Sequence, residues 1–377
     1  MKMSKNDVAT VYSAIWKDGL IYSSIRKDLK ENQVKIYSIK YLNDLKIYGI
    51  SQNPDTKDYN GDVATAIWKD GPLYYLYDKK EWIRKPNKKV ALKCLNSFLN
   101  ANDCLNEVKA YLKLNTRFII NLYGISQDVN TGNYIMIFYY AEGGNLNDWL
   151  YVNDNYKEFS WSLKLKALLD VIQALKEIHQ KQMVHRGLYA GSLLISTNNV
   201  RDFNVYISSM ALCREVVNTD VTTLYGVVPS YTAPEVLRNK PYTKSADIYS
   251  FGMIMYFVAT GKQPFSDYEH DHLIFDICRG IRPEINVPEA PKRYIDLMKQ
   301  CWDSNPNNRP TAIKIEELIT IFRLEESEEI KKQFKEAEEY RKENLKPNYD
   351  KYDDDNISNA SSDIIIDFKE WLKILNK

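Results

Sequence analysis

Ala246-Asp247-Ile248-Tyr249-Ser250-Phe251-Gly252 lies at the head of a stretch, residues 244–260, whose apolar periodicity predicts a helix. The run that follows, Phe251 to Ala259, is the longest nearly apolar one in the chain and far too short to cross a bilayer. Working outward from it, Ala233-Pro234-Glu235 and Met183-Val184-His185-Arg186 stand upstream, and Asn308-Arg309-Pro310 stands downstream. Still earlier, Val90-Ala91-Leu92-Lys93 closes a predicted strand, Lys89 to Cys94, and Glu107 follows on a predicted helix, Ala101 to Leu114. Each motif alone is weak. Their order and spacing carry the reading.

The rest of the chain sets the frame. Val63 to Trp68 and Tyr134 to Tyr140 have the β-branched and aromatic pattern of short strands, whereas 161–181, 244–260, 291–302 and 311–322 have helical periodicity. Strands first and helices after predict an α+β fold with a β-rich small lobe and a mainly helical large one. Hydrophobic residues form 44% and charged residues 27% of the 377, enough for a sizeable core. Fifty-one basic side chains against fifty acidic ones give a net charge of +1, so no global field points to nucleic acid or an anionic membrane. Five scattered cysteines without a C-x-x-C exclude a disulfide framework or zinc ribbon, and with no signal-peptide core at the start they fit a cytoplasmic protein.

Ala14-Ile15-Trp16-Lys17-Asp18-Gly19 recurs as Ala66-Ile67-Trp68-Lys69-Asp70-Gly71, and Tyr48-Gly49-Ile50-Ser51-Gln52 recurs as Tyr123-Gly124-Ile125-Ser126-Gln127. The offsets differ, 52 against 75, so the first copy lacks about one helix. Residues 1–58 are therefore expected to be a truncated duplicate of the start of the main domain, residues 59–322, either a remnant or a segment that adds strands to the small lobe or covers its edge. Residues 323–345, rich in Glu and Lys, predict an exposed charged helix. A disordered linker is expected over 346–362, and a short amphipathic helix over 363–377.

The motifs resemble those of the protein kinase family, closest to its tyrosine-kinase-like group, over roughly residues 59–322. The resemblance implies a bilobal kinase fold in which Lys93 contacts the α- and β-phosphates of ATP and Glu107 holds it by an ion pair. It places Phe138 beside the adenine pocket, with Tyr139, Tyr140 and Ala141 as the hinge. Glu235 and Arg309 would form a buried ion pair anchoring the activation segment. Asp247 would brace the backbone of the loop that contains His185 and Arg186. Thr222, Thr223 and Tyr225 lie in the activation segment, where a phosphorylated residue would be gripped by Arg186.

The departures from the family pattern are specific. The family's His-Arg-Asp reads His185-Arg186-Gly187, its magnesium-binding Asn is Ser192, and its Asp-Phe-Gly reads Ser209-Met210-Ala211. A glycine has no group to accept a proton, and a serine is a poor replacement for a metal-binding carboxylate. The glycine-rich loop, aligned on Thr56 to Val63, keeps only Gly61 and Val63. A nearby Asp202-Phe203-Asn204 precedes its strand instead of following it and reads as a polar turn. The expectation is a pseudokinase with no intact catalytic residue, which takes ATP as a candidate ligand, leaves Mg2+ without its usual carboxylates, and serves signalling proteins as partners. The alternative is a residually active protein kinase in which a displaced carboxylate such as Asp202 captures magnesium.

Overall fold

A computed structural model describes residues 11–12, 45–50, 63–76, 78–95, 101–114, 116–128, 134–151, 155–197, 202–216, 228–268 and 272–344. The chain divides into two compact units, residues 1–115 with 120–140 and residues 116–119 with 141–377.

The first unit contains β1 (Val11–Tyr12), β2 (Leu45–Ile50), β3 (Val63–Trp68), β4 (Leu73–Leu76), β5 (Glu81–Arg84), β6 (Lys88–Leu95), α1 (Ala101–Lys113), β7 (Leu122–Asp128) and β8 (Tyr134–Tyr139). Its main sheet is antiparallel in the order β1-β7-β8-β6-β3-β2, and β4 and β5 form a separate hairpin. Side chains alternate across a strand, so Ala64, Ala66 and Trp68 of β3 share one face with Val90 and Leu92 of β6 and Ile135 and Ile137 of β8. On β6, Ala91 and Lys93, which alternate with Val90 and Leu92, face the other way, towards α1. That alternation is what aims Lys93 at the helix.

The boundary expected at residue 58 falls inside this sheet. β2 pairs with β3 from Leu45↔Trp68 to Ile50↔Ala64, and β1 pairs with β7. Part of the segment read as a duplicate therefore supplies strands to the main domain, because β3 and β7 each offer an edge of unpaired backbone groups. The rest of 1–58, including the first copy of the repeat, lies outside the described residues.

The second unit holds β9 (Gly144–Asn145), α2 (Leu146–Tyr151), α3 (Asn155–Glu158), α4 (Trp161–Gln180), β10 (Met183–Val184), β11 (Leu193–Ser196), β12 (Asn204–Ile207), β13 (Arg214–Glu215), α5 (Pro234–Leu237), α6 (Lys244–Thr260), α7 (Leu273–Arg279), α8 (Lys292–Cys301), α9 (Ala312–Leu324) and α10 (Glu328–Glu343). Helix α6 is buried on every side from Ala246 to Ala259, as an all-round apolar helix must be. It stops at Gly261, whose φ of 75° suits glycine. The expected order of a β-rich part followed by a mainly helical part is borne out.

Helix α10 corrects the expectation of an exposed helix over 323–345. It starts at Glu328, after a left-handed turn at Glu325, and buries Ile330, Phe334 and Ala337. Phe334 packs on Trp161 and Phe322 with ring centroids 5.6 and 5.7 Å apart. Glu338 accepts a hydrogen bond from the Trp161 backbone N–H at 3.0 Å, where a carboxylate meets the positive end of α4. The charges dominate this segment's composition, but every third or fourth position is apolar. The described residues end at 344, so the expected linker and final helix lie outside them.

Beneath this contact Lys164 is buried, donating to the Ala259 carbonyl at 2.7 Å with its ammonium 4.9 Å from the Trp161 ring. Burial pulls its pKa down from 10.5 to about 7, aided by Arg341 and opposed by Glu338 and Glu289. The unfolded chain then binds more protons than the folded one above the folded value, so this group makes stability rise with pH. Between about pH 7 and 8.5 it should add up to about 1.4 kcal/mol per pH unit. Urea denaturation across that window should show the slope in the native chain and a flatter one in Lys164→Met. Parallel slopes would refute the assignment.

Candidate functional site

In the first unit, Lys93 sits on β6 between Val63 of β3 and Met136 of β8. Its ammonium meets both Glu107 oxygens, at 2.8 and 3.1 Å. The Glu107 side chain is 2% exposed and that of Lys93 is 28% exposed, so a buried carboxylate tethers a half-open cation. A fixed cation of this kind can meet a phosphate without first ordering its side chain. Phe138 is buried on the same side, its ring 5.0 Å from that of Tyr111 on α1. Tyr140 is half-buried under the Lys89 ammonium, 3.9 Å from its ring centroid. Val63 is 48% exposed at the start of its strand, and Gly61 lies outside the described residues.

In the second unit, Asp247 organises the loop after β10. Its carboxylate accepts from the backbone N–H of His185 at 2.9 Å and of Arg186 at 3.0 Å, and it meets His179 Nε2 at 2.9 Å. Burial works to raise the Asp247 carboxyl, but these bonds and the two histidines hold it below its ordinary value. His185 is fully buried, which lowers its pKa, and its Nε2 reaches the Ser208 carbonyl at 3.1 Å. Ser208 in turn donates from its N–H and its hydroxyl to the Ser192 carbonyl. The residues around 185, 192 and 209, far apart in sequence, are thus tied into one cluster.

Two non-glycine residues of this cluster keep left-handed backbones, Arg186 at φ 71° and Ser209 at φ 59°. Such strain persists only where surrounding contacts hold it, and it gathers at functional sites. The chemistry at the three departures is spare. Gly187 offers a single N–H, directed at His185 Nδ1. The Ser192 hydroxyl is committed to its own turn, accepting from the Tyr189 N–H at 3.0 Å and donating to the Tyr189 carbonyl at 2.8 Å. Ser209 leads into a short turn, with Met210 fully buried behind it.

The displaced-carboxylate alternative meets an obstacle. Asp202 is exposed at the opposite end of β12 from Ser209, and a four-residue strand at about 3.3 Å per residue keeps them at least about 10 Å apart. Phe203 anchors that end, packed against Trp149 and Phe159 at 5.2 and 6.0 Å. Asp202 and Phe203 lead into β12 at Asn204, and the Phe203 ring seats that end on the core. Among the described residues no group of three or more His, Cys, Asp or Glu side chains could hold a metal ion.

Away from this cluster, Arg309 grips Glu235 through two parallel bonds of 2.6 and 2.8 Å. The same guanidinium donates to the carbonyls of Asp303 and Ser245. Sequence reasoning missed Arg282. It stacks on Tyr249 at 5.0 Å, the ring that Arg309 also meets at 5.2 Å, and no motif signals it. Arg186 lies 5.8 Å from the Tyr242 ring, while Thr222, Thr223 and Tyr225 are outside the described residues. No helix among the described residues is long and apolar enough to cross a membrane.

Comparison with known proteins agrees with this geometry. A protein of Acanthamoeba polyphaga mimivirus described as a serine/threonine-protein kinase/receptor is 33% identical over 153 residues, 40% of this chain and 9% of that protein. A Dictyostelium discoideum protein described as a probable serine/threonine-protein kinase is 30% identical over 260 residues, 68% of this chain and 23% of its own length. The human receptor-interacting serine/threonine-protein kinase 1 is 29% identical over 249 residues, 60% of this chain and 35% of that one. The chain therefore spans about a third or less of these relatives. The family of protein tyrosine and serine/threonine kinases matches residues 58–319, most of the chain, and the chain belongs to it.

Proposed function

We propose that this kinase domain is a pseudokinase, which binds signalling proteins and retains a phosphate-binding cation without efficient phosphoryl transfer. The observation that carries the reading is the chemistry at 187, 192 and 209, where no carboxylate or amide is present and the Ser192 hydroxyl is used within its own turn. A general base contributes roughly 10²–10⁴ in rate, and a Lewis-acid metal adds several kcal/mol of transition-state stabilisation. Losing both removes most of the chemistry. The anchored Lys93 supports ATP as a ligand. The donor set does not fit Mg2+, which prefers carboxylate oxygens, so no step is routed through it.

The second reading, an active kinase, is supported by the descriptions of the relatives, each a serine/threonine-protein kinase. Turnover of γ-labelled ATP separates the two, with label counted in both free phosphate and a mixed protein substrate. The native chain should match Lys93→Met, and a restored chain carrying Gly187→Asp, Ser192→Asn and Ser209→Asp should exceed both. Label released by the native chain and lost in Lys93→Met would make it an enzyme. The position 187 change is sterically feasible, because the one tight contact of a Cβ there is the flexible Leu212 Cδ1 tip, at 3.1 Å, with other Leu212 atoms at ordinary contact distance.

A further inference from the structure

The loop after β10 also carries a bulky ring, Tyr189, and local contacts are built around it. Along Gly187-Leu188-Tyr189 the middle residue is buried and its neighbours are half-exposed, and Tyr189 itself is extended with φ −156° and ψ 173°. Residues two apart on extended backbone point to the same side. By this burial alternation Gly187 and Tyr189 share the half-exposed side of the loop, the side open to an incoming substrate hydroxyl.

Three contacts hold it there. A Cβ at Gly191 would lie 2.4 Å from Tyr189 Cε2, so the ring is seated where only glycine leaves room. Both backbone polar groups of Tyr189 are taken by the Ser192 hydroxyl. The ring's other neighbour is Tyr231, edge-on at 6.2 Å. Tyr231 cannot swing aside freely, because its hydroxyl donates to Gln263 at 2.8 Å and Gln263 donates to Asn147 of α2 at 2.7 Å. Its carbonyl accepts from the Ser250 hydroxyl at 2.7 Å. Burial, with Asp148 nearby, raises the Tyr189 pKa and keeps the phenol neutral.

We propose that Tyr189 closes the loop to a protein hydroxyl, its ring clasped between Gly191 and Tyr231 where the phosphoacceptor side chain would enter. This rests on the pseudokinase reading and deepens it: the loop lacks its base and is also shut to peptide. Water, far smaller than a peptide side chain, would still reach the site. In the restored chain, transfer to protein would form the bond from acceptor oxygen to γ-phosphorus and break the bond from γ-phosphorus to ADP. The hydroxyl proton would pass to the carboxylate restored at position 187. Hydrolysis follows the same balance with water as acceptor.

The test uses the full chain and γ-labelled ATP with a degenerate peptide pool bearing a central serine, threonine or tyrosine. In the restored chain most label should appear as free phosphate. Adding Tyr189→Ala should raise the ratio of peptide label to free phosphate at least tenfold, and Tyr189→Phe, which keeps the ring, should leave the ratio unchanged. Equal ratios with and without the ring would overturn the clasp. If the restored chains turn over no ATP, polarisation of the fluorescent pool on the otherwise native chain decides. Tyr189→Ala should then bind at least tenfold tighter than native, and equal binding would overturn the proposal. Turnover by the native chain would sink the pseudokinase reading alone, and the Tyr189→Ala ratio measured in that background would still judge the clasp.

Discussion

Arg309→Met should destabilise the folded chain by about 3–5 kcal/mol, because it leaves the Glu235 carboxylate buried without its partner. The Arg309 side chain is 0% exposed and that of Glu235 is 10% exposed, so water cannot take over the lost bonds. The Asp303 and Ser245 carbonyls would lose a donor as well. At roughly 2–4 °C per kcal/mol for a unit of this size, the melting temperature should fall by about 10 °C. Pairing the change with Glu235→Leu should recover much of the loss, since removing both charges of a buried pair costs far less than stranding one. A single variant that melts within about 1 °C of the native chain would show that the pair contributes little.

Asp247→Ala should act more locally and as strongly. The carboxylate accepts two backbone N–H groups and faces His179, and hydrogen bonds to a charged group contribute about 1.5–3 kcal/mol each. It also holds Arg186 in its left-handed conformation, so its loss should let the loop relax. Hydrogen exchange in a peptide covering residues 183–192 should accelerate by at least about a hundredfold, more than in peptides from α6 beyond its first turn. Unchanged exchange at His185 and Arg186 would mean that the loop is held by something else. Asp247→Asn keeps one acceptor oxygen and should fall between.

The fold was legible because its signals are local. The ends of α6 and β3 follow directly from an apolar run closed by Gly261 and from alternation ending at Trp68. Motif order then brought Lys93 to Glu107 and Arg309 to Glu235, pairs whose contact the coordinates show. What escaped was non-local. That residues 1–58 could add strands was readable, but the choice of Leu45–Ile50 and its register on β3 depends on a free sheet edge, which the sequence of either strand does not announce. The buried stripe of α10 was hidden by its charges, since Ile330, Phe334 and Ala337 are only a small part of the helix. Tyr189 was invisible for another reason: its role depends on the absence of a side chain at Gly191 and on a ring contributed by Tyr231.

The docking of α10 onto the start of α4 also sets an order of events during synthesis. Glu338 is 177 positions downstream of the Trp161 N–H it accepts from. A ribosome adding about 5–20 residues per second needs roughly 10–35 s to cover that distance. For nearly all of this interval Trp161 has no Phe334 to cover it, and Phe322 joins it only over the last dozen residues. The family match stops at 319, yet the covering ring comes later. The nascent chain therefore carries Trp161 without its Phe334 cover for a little under half of the synthesis of these 377 residues, and α10 closes that aromatic surface late.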